Sequence, residues 1–183
     1  MPVSSDKPPH GLQLVIDFVN TLDLEVGTDE LTDPDGLVAW LRRYELIGPH
    51  ALVVRAAQHA RAIELREALR DTMVGHNGGG ADAAAVAILE QTAEHGRLAV
   101  RFCADGSVSL EPRADGFAGA LARLLAPVAR AAADGSWERV KACRANDCRW
   151  AFYDQSRNRS ARWCDMAVCG NRTKVRAYRR RRW

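Results

Sequence analysis

Cys143-Arg-Ala-Asn-Asp-Cys148 and, after fifteen intervening residues, Cys164-Asp-Met-Ala-Val-Cys169 form the stretch on which the reading of this chain turns. Each pair holds four residues between its cysteines. Two short loops that each present two sulfurs can supply the tetrahedron of thiolates, about 2.3 Å from the ion, that a structural zinc site requires. No histidine lies between Val140 and Trp183, so a metal here is completed by Cys143, Cys148, Cys164 and Cys169 alone. Four protein ligands leave no open coordination position, and the expected role is structural. Three other readings stay open: a pair of disulfides, a redox-responsive zinc site, and an iron–sulfur cluster, whose familiar spacings differ from this one. The fifth cysteine, Cys103, stands far from the rest; an odd count fits metal better than disulfides.

Between the pairs, Trp150, Phe152 and Tyr153 predict a short strand covering the metal, residues 154–160 a turn, and Arg162-Trp163 the return to the second pair. Beyond Cys169 the spacing predicts a helix. Asn171, Val175, Tyr178 and Arg182 share one line, expected to pack on the strand and metal, and Arg172, Arg176, Arg179 and Arg180 share a cationic one. A loop pair, a hairpin and a helix bearing the last ligand make a treble-clef-like finger. A module of about 45 residues has too little core to hold itself together, so the metal would supply much of its folding free energy.

From Arg144 to Arg182 there are eleven arginines and one lysine, Lys174. Arginine's planar fork binds phosphate bidentately and stacks on bases, whereas a merely soluble face would use more lysine and mix in acids. The candidate nucleic-acid contacts are Arg157, Arg159, Arg162, Arg172, Lys174, Arg176, Arg179 and Arg180. The blander role, set out for Arg144 and Arg172, is to screen the formal −2 charge of four thiolates around zinc.

The charge is divided along the chain. Residues 1–140 carry 13 basic and 20 acidic side chains, a balance of −7, and residues 141–183 carry 13 and 3, a balance of +10. An acidic body with a basic C-terminal segment points to a polyanionic partner. A composition of 47% hydrophobic and 27% charged residues is that of a soluble globular protein. The start of the chain has no apolar signal core, and the most apolar run, 117–133, is interrupted by Arg123, Pro127 and Arg130. A cytoplasmic protein without a membrane span is therefore expected, in a setting that keeps thiols reduced.

The body, 1–135, reads as a helical domain with one β-hairpin, and 136–183 as the finger, with the boundary at Asp134-Gly135-Ser136. After a loose leader over 1–11, helices are predicted over 12–22, from an Asp33 cap with Pro34 to about 46 before Gly48-Pro49, over 50–75 and over about 81–94. The helix over 50–75 is read from Leu52, Ala56, His59, Ile63, Arg66 and Leu69. Alternation at Leu98, Val100 and Phe102, an Asp105-Gly106 turn, then Val108 and Leu110 predict the hairpin. A last helix over 115–133 should kink near Pro127. The class is mainly α.

No catalytic constellation stands in the body. Its histidines, 10, 50, 59, 76 and 95, form no pair suited to a metal or to acid–base work, and His59 reads as a packed residue. Phosphate-loop, metalloprotease and nucleophile-elbow motifs are missing, and no enzyme is expected. Asn20 and Thr21 sit on an otherwise apolar helix and need partners. They either bond internally to a neighbouring helix, with Arg66 as the candidate partner, or line a small-molecule pocket formed by Asn20, Thr21 and Arg66.

The string Cys164-Asp-Met-Ala-Val-Cys169-Gly170-Asn171-Arg172, with Cys143-x4-Cys148, Phe152-Tyr153-Asp154 and Arg162-Trp163 before it, resembles the CGNR zinc finger. That finger usually ends bacterial, notably actinobacterial, proteins. Asp17-Phe18-Val19-Asn20-Thr21-Leu22 and Leu65-Arg66-Glu67-Ala68-Leu69-Arg70 resemble stretches of the ABATE domain, associated with stress-induced transcription regulation. The resemblance implies zinc on the four cysteines and DNA binding. The expected function is a zinc-binding, DNA-binding transcription regulator whose body senses a small-molecule effector or forms a homodimer. The alternative is an RNA-associated or protein-interaction adaptor whose finger docks on an acidic partner.

Overall fold

Leu12, Val15, Ile16, Phe18 and Val19 are all buried on the first helix, α1 (Leu12–Val19), so one broad face of it is core while Gln13 stays exposed. The computed structural model describes residues 8–48, 53–80 and 82–180. The α1 helix stops three residues short of its expected end. Asn20 caps it, and the chain turns into a two-residue strand, β1 (Leu22–Asp23), paired antiparallel with β2 (Thr28–Asp29). Periodicity does not reveal this stop, because Leu22 continues the apolar line.

The second helix, α2 (Pro34–Arg43), opens as expected, with the Asp33 carboxylate accepting from Gly36 N at 2.8 Å, and ends at Arg43, sooner than expected. Tyr44 then takes the capping position and Glu45 turns left-handed at φ 55°. Tilted ring contacts of Trp40 with Phe18 and with Tyr44, centroids 5.1 and 4.4 Å apart, join α1 to the end of α2. Leu52, His50 and Pro49 lie outside the described residues. Val53–Arg55 are not helical, and α3 (Ala56–Gly75) begins at a box in which the Gln58 side chain accepts from Arg55 N at 2.9 Å.

The α3 helix is the spine of the body. It buries Ala62, Leu65, Leu69 and Met73, and also Arg66 and Arg70, whose charges are paired. His59 packs as expected, bonded to Leu31 O at 2.8 Å. Alongside runs α4 (Ala83–Gly96), capped by Asp82. The predicted hairpin forms, β3 (Leu98–Phe102) against β4 (Val108–Pro112), with Val100 opposite Leu110 and Phe102 opposite Val108. The expected kink near Pro127 is a full break: α5 (Gly116–Arg123) ends, and α6 (Leu125–Ala133) begins after Leu124. Proline has no N–H for the carbonyl of Arg123 four residues back, and its ring crowds that carbonyl.

Past the Gly135 turn, with φ 74°, the apolar cluster does not stop. Trp137, Val140, Ala142 and Ala151 join the same buried cluster as Leu12, Trp40 and Leu69. They bring in the last sheet, β5 (Val140–Ala142) and β6 (Ala151–Tyr153), antiparallel with Val140 opposite Tyr153. The last element among the described residues is α7 (Asn171–Arg180). Among the described residues no helix is long and apolar enough to cross a membrane.

Candidate metal centre and nucleic-acid interface

Cys143 and Cys148 sit in the turn that joins β5 to β6. Cys143 N donates to Trp150 O and Cys148 N to Ala145 O, both at 2.9 Å, and Arg149 leaves the turn with φ 49°. This corrects the expected order of a loop pair followed by a hairpin: the first two ligands lie within the hairpin. Arg144 N donates to Arg162 O at 2.9 Å, which lays the chain approaching Cys164 against the first loop. The Asp165 carboxylate accepts from Ala167 N and Val168 N, and its carbonyl takes Cys169 N and Gly170 N. The result is a π-helical turn, Met166–Gly170, that places Cys169 at the root of α7.

All five cysteines are free thiols, and the four sulfurs of the paired residues lie within 4.8 Å of one another. Cys148 Sγ is 3.6 Å from Cys164 Sγ, which is 3.8 Å from Cys169 Sγ. A tetrahedron with arms of about 2.3 Å has edges of about 3.8 Å, so the donor set fits a four-sulfur metal site. Crowding sorts the thiols. A hydrogen bond from Cys164 holds Cys143 down to about 5, whereas burial pushes Cys148 up to about 12 and the bond to Cys143 pushes Cys164 up as well. A divalent ion at the centre favours all four thiolates together.

Around the sulfurs pack Trp150 and Trp163. These rings occupy the place expected for the inner line of α7. Val175 and Tyr178, predicted to cover strand and metal, are 48% and 56% exposed, and Asn171 is exposed too. Arg182 lies outside the described residues. Arg172 faces inward: Nη1 and Nη2 reach the two Glu25 carboxylate oxygens at 2.9 and 3.2 Å, and Nη2 lies 3.3 Å from Cys169 Sγ. The screening role read for Arg172 therefore has its geometry. Arg176 pairs with Asp147 at 2.9 Å.

Arg144, Asn146 and Trp163 face Arg176, Arg179 and Arg180 across a groove of about 600 Å³ between the first cysteine turn and α7. Arg144, Arg179 and Arg180 have no ion-pair partner among the described residues, and neither do Arg157, Arg162 and Lys174. Arg159 approaches Glu138 at 3.7 Å. The loop bearing Arg157 and Arg159 is tied down by a buried pair that sequence reasoning missed. Lys141 Nζ donates to Asp154 Oδ2 at 2.7 Å, to Arg159 O at 2.6 Å and to Ala161 O at 3.2 Å. Burial alone would raise the Asp154 carboxyl, but Lys141 and Ser156 outweigh it and hold it below the ordinary range.

Residues 12–135 match the ABATE family, described as "Putative stress-induced transcription regulator". The chain belongs to the ABATE family. Residues 139–182 match the CGNR zinc finger, and those residues include all four clustered cysteines. Neither description is that of an enzyme. No curated protein matches the chain.

Within the ABATE segment, Asn20, Thr21 and Arg66 are engaged by the fold. Asn20 Nδ2 donates to Ala151 O at 2.9 Å and its Oδ1 accepts from Ala151 N at 2.7 Å, so it grips β6 like a strand partner. Thr21 Oγ1 donates to Phe18 O at 2.8 Å and accepts from Arg66 at 3.2 Å, the internal bond considered from sequence. Arg66 also forks onto both oxygens of Asp29 at 2.7 and 2.9 Å. Burial pushes Asp29 up, yet Arg66 and the Leu31 N–H hold it below the usual carboxylate range. Two more ABATE side chains reach across, His76 to Val140 O at 2.7 Å and Asn77 to Ala142 O at 2.6 Å. They lie beside Gly78–Gly80, a stretch that sequence marks only as a loop.

Proposed function

We propose that this protein is a zinc-binding, nucleic-acid-binding transcription regulator, with DNA as the leading target. In this reading Cys143, Cys148, Cys164 and Cys169 hold zinc, the segment 136–183 acts as the finger, and the body 1–135 senses a signal or dimerises. Cys169 carries the argument: it belongs to the four-sulfur cluster and also opens α7, so the metal and the arginine helix form one unit. Arg157, Arg159, Arg162, Arg172, Lys174, Arg176, Arg179 and Arg180 are the cations offered to nucleic acid, with Arg172 partly engaged by Glu25. Dimerisation has support in the hairpin tip, where Val100 is 50% exposed, Phe102 80% and Val108 58%.

Metal analysis should give one zinc per chain. Anisotropy titration should give DNA binding that a chelator abolishes and that weakens with salt, with a log–log slope of roughly −5 if six phosphates are neutralised. A zinc-loaded protein that binds neither DNA nor RNA at low salt would refute the reading. Exposed Val175 and Tyr178 favour a second reading, an adaptor docking on an acidic protein, which predicts weak, salt-insensitive nucleic-acid binding.

A further inference from the structure

The groove between the first cysteine turn and α7 differs from the rest of the basic surface. Its two walls come from segments far apart in sequence: Arg144, Asn146 and Trp163 on one side, Arg176, Arg179 and Arg180 on the other. None of the described residues that line it is acidic. The carboxylate of Asp147, next to Asn146, is held by Arg176 at 2.9 Å and approached by Arg172 Nε at 3.8 Å, while the groove itself is lined by four guanidiniums. Arg144, Arg179 and Arg180 lack an ion-pair partner among the described residues, and like charges held this close repel one another until an anion joins them.

Shape decides which part of a nucleic acid fits. The ridges of a duplex are its sugar–phosphate backbones, and its base edges lie at the bottom of grooves that only a protruding helix or ribbon can enter. A concave, cation-lined channel is complementary to a ridge. We infer that this groove seats one sugar–phosphate backbone strand of bound DNA, with Arg144 gripping it from the side opposite Arg176, Arg179 and Arg180. The inference rests on the nucleic-acid reading above and deepens it in two ways. It adds Arg144, which the sequence suggested only for charge screening, and it assigns this part of the surface to orientation without base readout. Trp163 lines the groove and packs against the cysteine cluster, so the groove depends on the metal site for part of its wall.

The test uses the zinc-loaded full chain. Arg144→Ala with Arg179→Ala should lower affinity for a duplex at least tenfold at moderate salt and make the log–log salt slope shallower by about 2, since each phosphate contact contributes roughly 0.9. Arg42→Ala with Arg130→Ala, the same loss of charge from the body, should leave affinity and slope within twofold of the parent. Two duplexes of unrelated sequence should lose affinity equally on the groove substitution. Zinc stoichiometry and circular dichroism confirm that the variants are folded. If the parent binds DNA and the groove variant binds it with the parent's affinity and slope, the backbone seat is overturned and the regulator reading stands. A sequence-selective loss likewise overturns it, in favour of base contacts. A parent that binds no nucleic acid removes both.

Discussion

The two halves of the finger are held in different ways. The β5–β6 hairpin is built into the body: Val140, Ala142 and Ala151 belong to its buried cluster, Asn20 clamps Ala151, and His76 and Asn77 hold the carbonyls of Val140 and Ala142. The α7 helix has exposed Val175 and Tyr178, and Cys169 and the ion pairs of Arg172 and Arg176 tie it to the rest of the molecule. Apolar burial and buried hydrogen bonds resist metal loss, while surface ion pairs contribute little, about 0–1 kcal/mol each. The metal is thus expected to govern the arginine helix far more than the hairpin beside it.

Removing the metal should have the largest effect. With a chelator, or in Cys164→Ser or Cys169→Ser, hydrogen-exchange protection should vanish over 171–180 and persist over 140–142 and 151–153, and nucleic-acid affinity should fall more than tenfold. Loss of protection in both halves together would erase the contrast. Next comes Lys141→Met, which leaves the Asp154 carboxylate buried without its cation. It should destabilise the protein by about 3–5 kcal/mol in thermal or urea unfolding. Asn20→Ala strips two partners from Ala151 and should cost about 2–3 kcal/mol, with exchange quickening at β6 before α7.

Acid probes the body through Asp29. The Asp29 carboxyl is depressed in the folded state, so its contribution is complete above its ordinary value of 3.8 and is lost as pH falls through the lower folded value. Asp29→Asn should therefore flatten the acid limb of body stability below pH 4, measured by circular dichroism, and leave the limb above pH 5 unchanged. The smallest effect belongs to Glu25→Gln, an exposed pair, which should shift overall stability by less than about 1 kcal/mol.

Much of this was legible in the sequence, for physical reasons. Cysteine spacing reveals a ligand set because two short loops can close on one ion, and alternation from Leu98 to Leu110 reveals the hairpin, whose register comes from the structure. Helix ends were read less well. Periodicity carries on through Leu22, and it is the capping of Asn20 and the β1–β2 pair that stop α1. The union of body and hairpin was hidden because Asn20 and Ala151 lie 131 residues apart, and a lone asparagine on an apolar helix shows a need for partners without naming them. The inner face assigned to Val175 and Tyr178 failed because Trp150 and Trp163 already cover the sulfurs. The charge division was visible, but the Arg172–Glu25 contact across it was not.

That contact has a thermodynamic consequence. One guanidinium touches both Cys169 Sγ and a carboxylate in the β1–β2 turn, so the occupancy of the metal site and the position of that turn are linked variables. Linkage is reciprocal: whatever free energy the ion lends to the posture of the turn, the turn lends to retention of the ion. The affinity of the site for its metal, read by chelator competition at equilibrium, then becomes a gauge of events in the body, and Glu25→Gln is the variant that disconnects it.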